Sequence, residues 1–150
     1  MALKQPRQVR TVEEFKTQLK RHGLKATRPR IAVHGVMMEL VHASPDQIVE
    51  KFRESGVKVT VASVYNILSQ LADSHIYARR FSASGKMFFD AIPEHHVHML
   101  DRENNVFRDV VDEDLSAIVE EHLGRRKFKG YTIEDIDVQF IVRPTARKKK

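Results

Sequence analysis

No cysteine occurs anywhere in the chain. Disulfides, thiolate zinc sites, iron–sulfur clusters and cysteine nucleophiles are therefore excluded, and any metal must be held by histidine and carboxylate side chains. Long apolar runs are missing too: nothing approaches the roughly 20 apolar residues of a membrane span. The charged opening MALKQPRQVR is not followed by an apolar core, so no signal peptide is expected, and the expected location is cytoplasmic. Catalytic signatures are also lacking. There is no GxSxG turn, no phosphate-cradling glycine loop and no HExxH helix. A hydrolytic metal centre would need an open coordination position and a general base beside its ligands. No such base stands out, and the chain is not expected to be an enzyme.

What is present is an ordinary apolar fraction of 41%, a charged fraction of 31%, and a marked charge asymmetry. Residues 1–90 carry 15 Lys/Arg against 8 Asp/Glu, whereas residues 91–146 carry 7 against 12. The last four residues, Arg147 to Lys150, are all basic. A basic first half suits a polyanion, and an acidic second half supplies carboxylates. A length of 150 residues accommodates one domain with a real core or two small ones.

The helix signals are local and chemical. Thr11 and Glu14 fit a capping box that opens a helix with Val12, Phe15 and Leu19 inward, ending at Gly23. Thr27-Arg28-Pro29 opens a second, with Ile31, Val33, Val36, Met37, Leu40 and Val41 in helical spacing. Ser44-Pro45-Asp46-Gln47 opens a third, which stops near Ser55-Gly56. Thr60 caps a fourth with Val61, Val64, Ile67, Leu68 and Leu71 inward. Its outward residues (Ala62, Ser63, Asn66, Ser69, Gln70) are small or polar, with Tyr65 the large exception, so this helix can approach another surface closely. Two strand-like runs, 76–81 and 86–89, flank a glycine-containing turn and predict a hairpin. Helices followed by a hairpin are the order of a winged helix, whose last helix enters the major groove of DNA.

Beyond this lie a hinge at 90–95, strands at 97–100 and 106–110 joined by a turn at 102–105, a helix over 113–123 and a last strand over 133–142. The predicted fold is α+β: a winged-helix DNA-binding domain over 1–89, with a flexible basic arm at 1–10, and a small α/β domain over 96–150, with a basic tail at 144–150, to which the family resemblance drawn below assigns dimerisation and metal sensing. The second unit is small enough to gain from pairing with a second copy.

The run His95-His96-Val97-His98 carries the chemistry. Alternate residues of a strand share a face, so His96 and His98 project together and suit a divalent metal. A hairpin turn at 102–105 would bring Asp109 back beside His98, and Asp90 stands six residues before His96. Arg79, Arg80 and Lys86 flank the wing turn and are candidates for phosphate contacts. Tyr65 reads either as a thymine-contacting residue or as core, and its small outward neighbours favour DNA.

Three stretches together resemble the ferric uptake regulator superfamily: Gly23–Arg30, Val61–Leu68, and Phe89-Asp90 with His95–His98. The resemblance spans roughly residues 12–143. It implies a homodimer that binds double-stranded, palindromic AT-rich operator DNA as a repressor. It implies a regulatory site on His42, Asp90, His96, His98 and Asp109, filled by Fe(II) or Mn(II), with Zn(II) also readily accepted. It implies Tyr65 and Asn66 in the major groove beside Ser63, Lys25 reaching the minor groove, and Arg30 on the backbone. There are also departures from the family. The paired CxxC motifs that hold a structural zinc in many members are absent. Val97 stands where a second site needs a carboxylate, and its partner would fall near Ser116, so His95 is expected to lack a metal. Asn66 resembles the iron-response and peroxide regulators alike, the cysteine-free second half looks most like the iron-response regulators, and the Asp-rich site would equally suit the peroxide regulators. The alternative implied by the first of these is a haem-responsive regulator that binds DNA without metal.

Overall fold

The computed structural model describes residues 8–82, 84–94, 96–133 and 135–146. The chain divides into two compact units, one within Arg7–Glu94 and the other within His95–Lys150. No helix among the described residues is long and apolar enough to cross a membrane.

The first unit contains four helices: α1 (Val12–Arg21), α2 (Arg28–Leu40), α3 (Pro45–Glu54) and α4 (Val61–Asp73). Each begins where a capping side chain takes up free backbone donors. Thr11 and Ser44 both complete capping boxes, with Glu14 and Gln47. Thr27 and Thr60 accept from Arg30 N and Ser63 N. Phe15, Leu19, Val33, Met37, Ile48, Val64, Leu68 and Leu71 meet in one core. Val61, expected to face inward, is 44% exposed at the start of α4. It lies in the first turn, ahead of the residues that meet the core.

A three-stranded sheet, β1 (His42–Ala43), β2 (Ala78–Phe81) and β3 (Met87–Asp90), is ordered β1-β3-β2 with antiparallel neighbours. The hairpin β2–β3 is the expected wing, although Ile76 and Tyr77 precede it as buried core rather than strand. Strand β1 was not expected. It forms because Val41, read as a helix residue, instead turns the chain at φ 63° and ψ −53°, the geometry of a γ-turn. Positive φ is costly for a β-branched residue. Pairing on both sides holds it: Val41 N donates to Met37 O at 2.8 Å and Val41 O accepts from Ala91 N at 3.0 Å.

Two basic residues expected to be free are held by the fold. Val9 packs on the core and Arg10 is docked, so the expected free arm does not extend to residue 10. Arg10 O accepts at 2.7 Å from His34 Nε2, and the Arg10 guanidinium reaches Ile76 O and Glu94. Residues 1–7 of that arm and 147–150 of the tail lie outside the described residues. Arg80, expected on phosphate, has a side chain only 2% exposed, with Nε 3.5 Å from Asp90 Oδ2. A guanidinium buried against a carboxylate is not available to DNA.

The second unit is a three-stranded sheet with β4 (Val97–Asp101) in the centre, β5 (Val106–Val110) antiparallel to it and β6 (Gln139–Val142) parallel, together with helix α5 (Glu113–Arg125). Asp101 Oδ1 accepts from the backbone of Glu103 and Asn104, and Asn105 takes φ 57°, which closes the β4–β5 turn. Asp112 caps α5. The last strand is shorter than the expected 133–142, and its alternation fails: Phe140 and Ile141 are both exposed. Val97, Leu100, Phe107 and Val119 are the buried apolar side chains of this unit among the described residues.

His34 is 1% exposed, stacks on Phe15 with ring centroids 3.9 Å apart, and meets the Tyr77 hydroxyl at 2.6 Å. A carbonyl can only accept, so Nε2 donates to Arg10 O and Nδ1 accepts from Tyr77. Burial holds the imidazole below its ordinary pKa. The unfolded chain therefore binds this proton more readily. The stability that His34 contributes is complete above its unfolded value of about 6.5 and is lost as pH falls below it. His34→Ala is expected to cost about 2–4 kcal/mol in urea unfolding at neutral pH and to make the loss of stability toward pH ~5 shallower. Arg80→Ala, which removes the buried partner of Asp90, is expected to lower unfolding stability by about 3 kcal/mol by the same measurement.

Candidate metal centre and nucleic-acid face

The first unit contributes His42 and Asp90. They are directly opposed across β1 and β3, and His42 Nε2 lies 3.3 Å from Asp90 Oδ2. The turn at Val41 delivers His42 into this register two residues after the end of α2. The other oxygen, Asp90 Oδ1, accepts from Ile92 N at 2.9 Å, which fixes the carboxylate's orientation. Arg80, opposite Phe88 on the neighbouring strand, supplies positive charge to the same Oδ2.

The second unit contributes His96, His98 and Asp109. Asp109 is the register partner of His98 across β4 and β5. His96 Nε2 and His98 Nε2 lie 3.1 and 3.5 Å from one oxygen, Asp109 Oδ1, and the two rings are 4.2 Å apart. His98 is fully buried, with its edge against Phe107.

Sequence reasoning missed Asp137. Its Oδ1 is 3.7 Å from His98 Nδ1, the ring nitrogen that faces away from Asp109. Gln139 Nε2 donates to Asp137 Oδ2 at 2.7 Å, and Gln139 is itself the parallel register partner of His98. A carboxylate behind the far nitrogen of a metal-ligating histidine fixes its tautomer and raises its basicity. The only sequence signal was an acidic residue inside the expected last strand, 133–142, which is too common to single out.

These donors fit a divalent ion. Two ligands bonded at ~2.1 Å to one metal lie about 3.0–3.4 Å apart, from octahedral to tetrahedral angles. The donor separations within each unit, 3.1–3.5 Å, match that span. Imidazole nitrogen with carboxylate oxygen, and no sulfur, suits Fe(II), Mn(II) or Zn(II). His95 lies outside the described residues. Val97, where a second site would need a carboxylate, is buried and apolar.

On the winged-helix unit, Ser63, Tyr65 and Asn66 are exposed along α4, and Lys25 is exposed before α2. Tyr65 is 42% exposed and rests edge-on against Phe89 at 6.2 Å, so its ring has a fixed base and a free outer face. Ser63 is partly committed to the cap, since Thr60 Oγ1 donates to its hydroxyl at 2.8 Å. Arg30 braces α2 internally: its guanidinium donates to Lys25 O at 2.8 Å and to Gln70 Oε1 at 2.7 Å. Arg79 ties the wing to α4, 2.9 Å from Asp73 and over the Phe89 ring. Lys86 is exposed at the wing, above Phe88.

The profile of the ferric uptake regulator family matches residues 21–140. The ferric uptake regulation protein of Haemophilus influenzae is 34% identical over 85 residues, which are 55% of this chain and 58% of that protein. The chain thus spans little more than half the length of such relatives. Among solved structures, the ferric uptake regulator of Vibrio cholerae superposes with a TM-score of 0.69 at 23% identity, over 86% of this chain and 98% of that one. That of Helicobacter pylori superposes with a TM-score of 0.68 at 20% identity, over 93% and 95%. These structures share the fold, a winged-helix unit followed by a small α/β unit. With four-fifths of its length matched by the profile, the chain belongs to the ferric uptake regulator family, whose members are transcription regulators rather than enzymes.

Proposed function

We propose that the protein is a metal-gated, homodimeric transcriptional repressor acting in the cytoplasm. In this reading His42 and Asp90 from the first unit and His96, His98 and Asp109 from the second bind one divalent ion, Fe(II) or Mn(II). The hinge expected at 90–95 falls after Asp90, which is itself held in β3. By sharing a ligand set, the two units lose freedom of relative orientation, and the α4 helices of a dimer take up the spacing of a palindromic AT-rich operator. Ser63, Tyr65 and Asn66 read the major groove, Lys25 enters the minor groove, and Arg79 and Lys86 flank the wing. Arg30 acts by holding α2 to α4 as well as through charge.

The observation that carries this reading is that each unit holds its own His–carboxylate set at ligand spacing, and only residues 91–95 separate the two sets along the chain. Moving a population from 1% to 99% DNA-competent needs about 10⁴-fold tighter metal binding by that state. Ligands drawn from both units are a source of such a difference, because a state with the units apart forfeits His42 and Asp90. The dimer reading rests on the second unit. Ile118, Phe128, Tyr131, Phe140 and Ile141 are 44–81% exposed there, beside a small core, and a second copy would cover them. The Helicobacter pylori relative is described as having three functional metal-binding sites. The absence of cysteine excludes a four-thiolate zinc site here.

Titration of a labelled AT-rich palindrome is expected to show DNA binding that rises with Fe(II) or Mn(II). His42→Ala and His96→Ala are each expected to lose about 100-fold of that stimulation while remaining folded. Metal-independent binding that responds instead to haem would replace this reading with the haem-responsive one. Asp137→Asn is expected to weaken Mn(II) binding about 10- to 100-fold, followed through the electron spin resonance of free Mn(II), with little change in metal-free unfolding.

A further inference from the structure

The first unit contains a groove of about 890 Å³ between the start of α2, the end of α3, the 57–60 segment and the start of α4. The metal-ligand candidates take no part in it. Its floor is aliphatic, formed by the buried Val33, Val49 and Val64. The half-buried Phe52, Val59 and Ile67 form its walls. Its volume falls in the range of about 300–1,000 Å³ typical of small-molecule pockets.

The mouth is positive. Arg28 and Lys58 line it from exposed positions. The helix ends add the same sign. Both α2 and α4 start at the groove, each is 13 residues long, and neither has an acidic residue in its first turn, whereas α1, α3 and α5 all do. The positive ends of these two macrodipoles are therefore not offset by a carboxylate of their own first turns. A DNA phosphate would use this charge but not the aliphatic floor. Both features together select a ligand with an anionic head and an apolar tail.

We propose that this groove binds a free medium-chain fatty acid of about twelve carbons, with its carboxylate at Arg28 and Lys58 and its acyl chain along Val33, Val49 and Val64. The assignment needs neither metal nor DNA. An occupant would bear on Thr60, the cap of α4, and so on the helix that carries Ser63, Tyr65 and Asn66. Any difference in acyl affinity between free and DNA-bound protein would appear reciprocally in DNA affinity. That coupling, unlike the binding itself, rests on the DNA reading above.

Calorimetric titration of the full chain with dodecanoate, below its micelle-forming concentration, tests the proposal. Saturable binding of one molecule per chain is expected, with dodecanol about tenfold weaker or worse. The double variant Arg28→Glu/Lys58→Glu is expected to lose about tenfold or more, and Ala32→Phe, which fills the groove from its exposed wall, to abolish binding. Methyl resonances of Val33, Val49 and Val64 in the unmodified protein should shift on titration. Absence of saturable binding, equal binding of dodecanol, or methyl shifts confined to residues beyond Glu94 would overturn the proposal. Should either variant fail to fold, the alcohol comparison and the methyl shifts on the unmodified protein decide the matter.

Discussion

Asp90 is shielded from solvent, and a carboxylate in that position must be answered by donors and positive charge. The answers come from three separate places in the chain. His42 faces it across β1, Arg80 approaches from β2, and Ile92 N donates from the turn that follows. The wing, the strand after α2 and the exit from the winged-helix unit are therefore tied to one group. The strain at Val41 belongs to the same arrangement, because without that turn His42 would continue the axis of α2. Under the proposed function this is also where metal would enter. A cluster that already balances a buried charge is well suited to exchange part of that balance for an ion.

The second unit makes the opposite compromise. Its core is small, and much of its apolar surface is exposed. Part of its interior space goes to imidazoles, since His98 occupies a fully buried position that an aliphatic residue could have filled. Under the proposed function, that interior space goes to metal donors instead of to apolar packing. Asp109 lies in front of His98, and Asp137, held by Gln139, lies behind it. A unit built this way has reason to pair with another copy.

The basic residues of the winged helix divide by what holds them. Arg30 and Arg79 have acceptors within the unit and serve first to fix α4 against α2 and the wing. Lys25 and Lys86 remain exposed. Net charge alone could not separate these groups, because an arginine spent inside the fold and one offered to a phosphate look the same in a sequence.

Local chemistry was legible in the chain itself. Thr11, Thr27, Ser44 and Thr60 announced four helix starts, since a cap depends only on residues within one turn of it. The face shared by His96 and His98, and the return of Asp109 through the 102–105 turn, followed from the period of a strand and the length of a hairpin. The family resemblance apart, which already joined His42 to Asp90, the tertiary structure decided the rest. It paired two residues after α2 with β3, which set His42 against Asp90 across nearly fifty residues of chain. It buried Arg80, and it laid β6 parallel to β4 so that Asp137 came up behind His98. The physical reason is common to all three. Caps and hairpins are contacts between sequence neighbours, whereas long-range pairing and burial depend on how whole elements pack, which no short window of residues encodes.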